Sequence, residues 1–159
     1  MTLHRYCASD EATKRAGESF ASLLRSGDIV LLSGQLGAGK TTFVKGVAKG
    51  LGVTERVTSP TFTMVREHAC HNDRGIATLQ HCDVYRVSSL DEVLDLALGE
   101  LVEESAVALV EWGELAETVF GRDVLRVTFE LDEAQGRSLH VTGAIDEARL
   151  AELTTWVTP

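Results

Sequence analysis

A chain of 159 residues with 24 Asp and Glu against 15 Lys and Arg, a formal net charge of −9 and a pI near 5.0, has the size of one domain and an acidic surface. That balance argues against a broad nucleic-acid footprint, which needs clustered Lys and Arg to neutralise phosphates, so any RNA connection is expected to be indirect. No apolar run of about 18 residues and no basic-then-apolar start occurs, so the expectation is a single domain over residues 1–159, cytoplasmic, with neither membrane span nor signal peptide.

In chain order, Met1 to Ser9 is mixed and predicts nothing regular. Ser9 and Asp10 are alternative caps for a helix running to about Arg25, with Ala12, Ala16, Phe20 and Leu23/Leu24 on its inner face and Gly27 ending it. Asp28 to Ser33 reads as a buried strand. It feeds Gly34-Gln35-Leu36-Gly37-Ala38-Gly39-Lys40-Thr41, which fits G-x-x-x-x-G-K-[ST], the phosphate-binding loop. Glycine there lets the backbone turn tightly and aim its N–H groups at phosphate oxygens. Lys40 is expected to reach the β- and γ-phosphates and the Thr41 hydroxyl to bind Mg²⁺, with Gly37, Ala38, Gly39 and Thr42 completing the ATP cradle. Thr42 to Leu51 reads as a helix with Phe43, Val44, Val47, Ala48 and Leu51 on one face, its N-terminal dipole facing the anion, and Gly52 as its C-cap.

Pro60 fixes a turn bracketed by the hydroxyls of Ser59, Thr61 and Thr63, after which Phe62 and Met64 suit a strand. Those hydroxyls suit a switch segment holding phosphate, Mg²⁺ or water, and equally an ordinary turn. His68 to Gly75 reads as a hairpin loop. Ile76 to Val84 is predicted as a strand ending in Cys82-Asp83-Val84-Tyr85-Arg86, where Asp83 either serves Mg²⁺ or the nucleophile, or is a turn former or partner of Arg86. A zinc site from Cys70, His71, His81 and Cys82 is disfavoured, since strand neighbours point to opposite faces, and the odd cysteine count with Cys7 suits reduced thiols.

Ser89 and Glu92 fit a capping box opening a helix through Leu90 to Val102, broken near Gly99 and acidic on its outer face. Ala106 to Val110 is apolar on both faces, as a central parallel strand should be, and delivers Glu111-Trp112 at its carboxyl end, where open α/β sheets place ligands. An apolar strand ending in an acid resembles the second nucleotidase motif, whose carboxylate holds Mg²⁺ or its waters. Val124 to Leu131 and Ser138 to Thr142 alternate and form a hairpin across 132–137, and Asp146 to Trp156 is a short closing helix. The fold class that follows is α/β: a phosphate-loop NTPase fold with a mixed central sheet flanked by helices and a C-terminal β-hairpin.

From about Asp10 to Gly143 the chain resembles the TsaE (YjeE) family of small ATPases in tRNA threonylcarbamoyladenosine synthesis. The resemblance rests on the Gly17 region, Gly34-x-Leu36-Gly37-Ala38-Gly39-Lys40-Thr41-Thr42, Ser59-Pro60-Thr61-Phe62-Thr63, Asp83-Val84-Tyr85-Arg86 and Val110-Glu111-Trp112. Gln35 departs from it, standing where the family often carries an acidic residue or Asn. The resemblance implies that Thr41 and Glu111 serve Mg²⁺, that Asp83 is needed for hydrolysis, that Trp112 lies near the nucleotide, and that the Asp10 stretch and the Gly136-Arg137 turn approach the adenine. It also implies a TsaD–TsaB heterodimer as protein partner, whose turnover ATP hydrolysis supports. The alternative is a free-standing small-molecule kinase, which needs an acceptor pocket or arginine-rich lid, whereas Arg122, Arg126 and Arg137 are scattered along the chain. A GTPase is disfavoured by the lack of an Asn-Lys-x-Asp motif.

Overall fold

The computed structural model describes residues 3–35, 37–58, 65–83, 105–111 and 124–158. The Ser59–Thr63 segment, the helix expected from Ser89, Trp112 and Arg122 lie outside them. Among the described residues no helix is long and apolar enough to cross a membrane.

Seven strands form one sheet: β1 (Leu3–Cys7), β2 (Ile29–Gly34), β3 (Val65–Ala69), β4 (Thr78–Asp83), β5 (Ala106–Glu111), β6 (Leu125–Leu131) and β7 (Arg137–Gly143), in the spatial order β1-β7-β6-β2-β5-β4-β3. The middle four, β6-β2-β5-β4, run parallel, and the pairs β3/β4, β6/β7 and β1/β7 are antiparallel, so the expected mixed sheet with its C-terminal hairpin is present. All six residues of β5 are buried, which is why that segment reads as an uninterrupted apolar run.

Among the described residues, helices α1 (Asp10–Phe20), α2 (Lys40–Gly50) and α3 (Glu147–Val157) accompany the sheet. Ser9, rather than Asp10, caps α1, its hydroxyl accepting from the Ala12 N–H at 3.1 Å. The helix stops at Phe20, short of the expected Arg25, and tightens into a 3₁₀ turn over Ala21–Leu23. Arg74 donates to the Leu24 carbonyl and to that of Ala21, which also accepts the Leu24 N–H, and so holds that end.

Close approach of α1 to α2 explains two glycines. A Cβ on Gly17 would stand 2.2 Å from the Phe43 carbonyl oxygen, and one on Gly46 2.0 Å from that of Lys14. With the backbones in contact, Phe20 meets Phe43 (ring centroids 5.4 Å apart) and Trp156 (5.3 Å), and Phe43 meets Phe129 edge-on at 5.5 Å. One aromatic chain thereby ties α1, α2, α3 and β6, and the predicted inner face of α2 is buried throughout.

Three strands depart from the sequence reading by more than one residue. β1 arises where no element was expected, because only Leu3 and Cys7 bury while Arg5 lies over Trp156 at 5.2 Å and donates to its carbonyl, breaking the apolar alternation. β3 takes in His68 and Ala69, placed above in the loop, since His68 is buried and its Nδ1 lies 2.5 Å from Glu55 Oε1. β4 begins at Thr78 rather than Ile76, whose carbonyl and N–H are both taken by the Asn72 side chain in the preceding turn, at 2.8 and 3.3 Å.

Candidate active site

Because β2, β5 and β4 are parallel neighbours, their carboxyl ends share one edge of the sheet. Leu32 pairs with Glu111, and Glu111 with Asp83, so the loop after β2 and two acids converge there. Local sequence then sets the loop. Gly34, Gly37 and Gly39 all have positive φ (145°, 83° and 103°), the region that L side chains avoid. At Gly37 a Cβ would meet nothing within 4 Å, so that position demands glycine for its backbone angle rather than for protein contact.

Lys40 opens α2 and is buried, its Nζ donating to the carbonyls of Gly34 at 2.7 Å and Gln35 at 2.9 Å. Burial lowers its pKa, and the negative charges of Glu111 and Asp83 pull it back up. The helix that begins here has no side-chain cap, whereas Ser9 and Asp146 cap α1 and α3. An uncapped N-terminus beside a buried ammonium is suited to an anion.

Glu111, 3% exposed, is held by both oxygens. Thr41 Oγ1 donates to Oε1 at 2.9 Å, and His81 Nε2 lies 2.5 Å from Oε2. Thr41 and Glu111 thus present two hard oxygens side by side, with the Asp83 strand end adjacent, a donor set that fits Mg²⁺. Sequence reasoning singled out Lys40, Thr41, Asp83 and Glu111, and the fold brings all four together. His81 enters the sequence reading only through the disfavoured zinc set. Its signal was available: it is a polar residue inside a buried strand, two before Asp83 and so on the same face.

Arg137 stands in the turn that the family resemblance sets near the adenine, and it is separated along the chain from Arg122 and Arg126. It packs on the phosphate loop, where a Cβ on Gly39 would lie 3.2 Å from its Cδ and Nε. Its Nη1 donates to Asp10 and, at 3.3 Å, to Thr13 Oγ1. The Asp10 stretch is therefore continuous with the loop. Gly136 has a structural reason of its own: it sits in a turn where Asp132 Oδ1 accepts its N–H at 2.8 Å, and a Cβ would fall 2.0 Å from the Tyr6 hydroxyl.

Cys7, Cys70 and Cys82 are buried and free. Burial pushes the Cys70 thiol up to about 11 and the Cys82 thiol to about 12, so both stay protonated at neutral pH. Among the described residues no group of three or more His, Cys, Asp or Glu is placed to hold a metal ion such as zinc.

A family model described as "Threonylcarbamoyl adenosine biosynthesis protein TsaE" matches residues 7–139. The chain is 44% identical over 120 residues to the "tRNA threonylcarbamoyladenosine biosynthesis protein TsaE" of Bacillus subtilis, covering 76% of this chain and 72% of that one. It is 43% identical over 132 residues to the protein of the same description from Streptomyces coelicolor, covering 81% and 87%. The crystal structure of Bacillus subtilis YdiB superposes with a TM-score of 0.76 at 33% identity, over 98% of this chain and 95% of that one.

Proposed function

Because this chain belongs to the TsaE family, we propose that it is the Mg²⁺-dependent ATPase of tRNA N6-threonylcarbamoyladenosine synthesis, acting on a TsaD–TsaB heterodimer rather than making the modification itself. The observation that supports this best is Glu111, a buried strand-end carboxylate hydrogen-bonded at 2.9 Å to the phosphate-loop hydroxyl of Thr41. Thr41 and Glu111 are the residues that would hold Mg²⁺, whose chemistry there is to neutralise charge on the β- and γ-phosphate oxygens.

The chain's own residues do the rest. Lys40 exchanges the carbonyls of Gly34 and Gln35 for phosphate oxygens, a short move for an ammonium already inside the loop. The backbone N–H groups of residues 37–42 take the remaining phosphate oxygens at the uncapped start of α2. Asp83, paired in register with Glu111, orients the attacking water. Asp10, Gly136 and Arg137 line the nucleotide on the side where Arg137 covers Gly39. Trp112 follows Glu111 in the chain and reports nucleotide occupancy by its fluorescence.

Partner dependence follows from the arginine. Missing arginine charge at the transition state typically costs on the order of 10³-fold or more in phosphoryl transfer. Arg137 is near the loop, but its Nη1 is engaged by Asp10 and Thr13. Stimulation therefore requires release of Arg137, engagement of the Ser59–Thr63 hydroxyls by the heterodimer, or a group that the heterodimer supplies. Steady-state phosphate release by the purified protein, before and after adding TsaD–TsaB, tests this. Slow release that rises with the heterodimer is expected. Fast release indifferent to it overturns the partner-gated reading, and label from ATP appearing in a third product rather than in phosphate revives the kinase.

A further inference from the structure

Glu111 does its work only if its carboxylate faces Thr41, and Thr41 secures one of its two oxygens. The terminal torsion of a glutamate is broad and roughly two-fold, so a carboxylate held at one oxygen is free to swing. The second oxygen is met by His81, whose Nε2 lies 2.5 Å from Oε2. His81 is fully buried in β4, its backbone fixed in parallel register opposite Leu109 of β5.

The ring is an expensive choice for a core position. Its Nδ1 is buried and has no hydrogen-bond partner among the described residues, so the bond to Glu111 is the ring's one polar contact there. An apolar residue of the same volume avoids that desolvation cost. We propose that His81 is the positioning residue of Glu111: its Nε2–H clamps Oε2 and thereby holds Oε1 at Thr41, so that the metal-side carboxylate is oriented before nucleotide arrives. An ionised carboxylate only accepts hydrogen bonds, which requires the proton on Nε2. Residues that orient a metal ligand from behind in this way typically contribute about 10–100-fold in metal affinity or activity. The inference rests on the reading of Glu111 as the metal-side acid.

The test is calorimetric ADP binding, in EDTA and in Mg²⁺, for wild type, His81→Phe, His81→Gln and Glu111→Gln. His81→Phe keeps the volume and removes the donor, so its affinity in EDTA should match wild type while the gain on adding Mg²⁺ falls by about 10–100-fold. His81→Gln retains an N–H donor and should recover most of that gain, which a packing role does not predict. A full Mg²⁺-dependent gain in His81→Phe overturns the proposal. If Glu111→Gln also keeps the gain, the reading of the site itself fails, whereas loss in Glu111→Gln alone sinks only the role of His81. Should His81→Phe not fold, the imidazole ¹⁵N spectrum of the wild-type protein decides: a protonated Nε2 supports the clamp, and a bare one overturns it.

Discussion

At its amino-terminal end β2 begins beside Asp28, whose carboxylate accepts from Arg149 Nη2 at 3.0 and 2.9 Å and from the Arg25 N–H at 2.8 Å. At its carboxyl-terminal end the same strand runs into Gly34, whose carbonyl accepts from Lys40 Nζ at 2.7 Å. The first cluster is closed on itself: Arg149 answers Asp28, Arg25 answers Asp146, and Asp146 also caps α3 by accepting the Arg149 N–H. In the second, a buried cation rests on neutral carbonyls at the start of an uncapped helix, with Glu111 and Asp83 close enough to influence it. Completed pairs hold a fold together, whereas carbonyl acceptors such as those of Gly34 and Gln35 can be exchanged for the oxygens of a charged ligand.

The comparison breaks most sharply at Lys40. Lys40→Ala should lower ATP hydrolysis by about 10²–10³-fold, the typical effect of removing one preorganised donor at developing charge. Its thermal midpoint should stay near wild type, since Lys40 is not a member of the hydrophobic core. Near-normal hydrolysis in the folded variant would show that the cation belongs with the structural cluster. Glu111→Gln and Asp83→Asn come next. Each should slow hydrolysis by roughly 10–100-fold while changing ADP affinity in EDTA little, because the charge they meet develops only in the transition state. Equal losses in rate and affinity would assign them to folding.

Arg149→Met should do the reverse. Breaking a buried pair by removing one partner costs about 3–5 kcal/mol when burial is complete. Asp28 keeps 17% side-chain exposure and its bond from the Arg25 N–H, which brings the expected loss to about 2–3 kcal/mol in denaturant unfolding. Hydrolysis per folded molecule should be unchanged. A large fall in that specific activity would join the two ends of β2 energetically.

The same contrast explains what could be read from the chain. The loop was legible because its chemistry is local: glycines at positive φ, a lysine and a hydroxyl at fixed spacing. Glu111 was legible because an all-buried strand is apolar until the residue that must not be. The role of His81 was not, and Arg137 came only through the family resemblance, since each acquires its role through pairing of distant segments, His81 through the β4–β5 register and Arg137 through the β7 start reaching over Gly39 to Asp10. β1 escaped for a related reason: as an edge strand it carries Arg5 where a central strand carries an aliphatic residue.

The smallest expected effect lies at the rim of the closed cluster, where Asp146 separates charge from capping. The Arg25 guanidinium, followed by the Arg149 N–H, lowers its pKa from the ordinary 3.8 to about 2. A depressed carboxylate contributes stability that is fully present above its unfolded pKa and is lost as pH falls through its folded one. The contribution should therefore fade between 3.8 and about 2. Asp146→Asn preserves the cap, because Asn and Asp are equivalent at that position, and removes only the charge facing Arg25. Both groups are exposed, so the difference in thermal midpoint should be small at neutral pH, with wild type the more stable. It should shrink progressively on acidification and vanish once the wild-type carboxyl is protonated. A difference that persists at the acid end would mean that Asp146 acts through the cap geometry, and that the pair with Arg25 adds nothing to the closed end of β2.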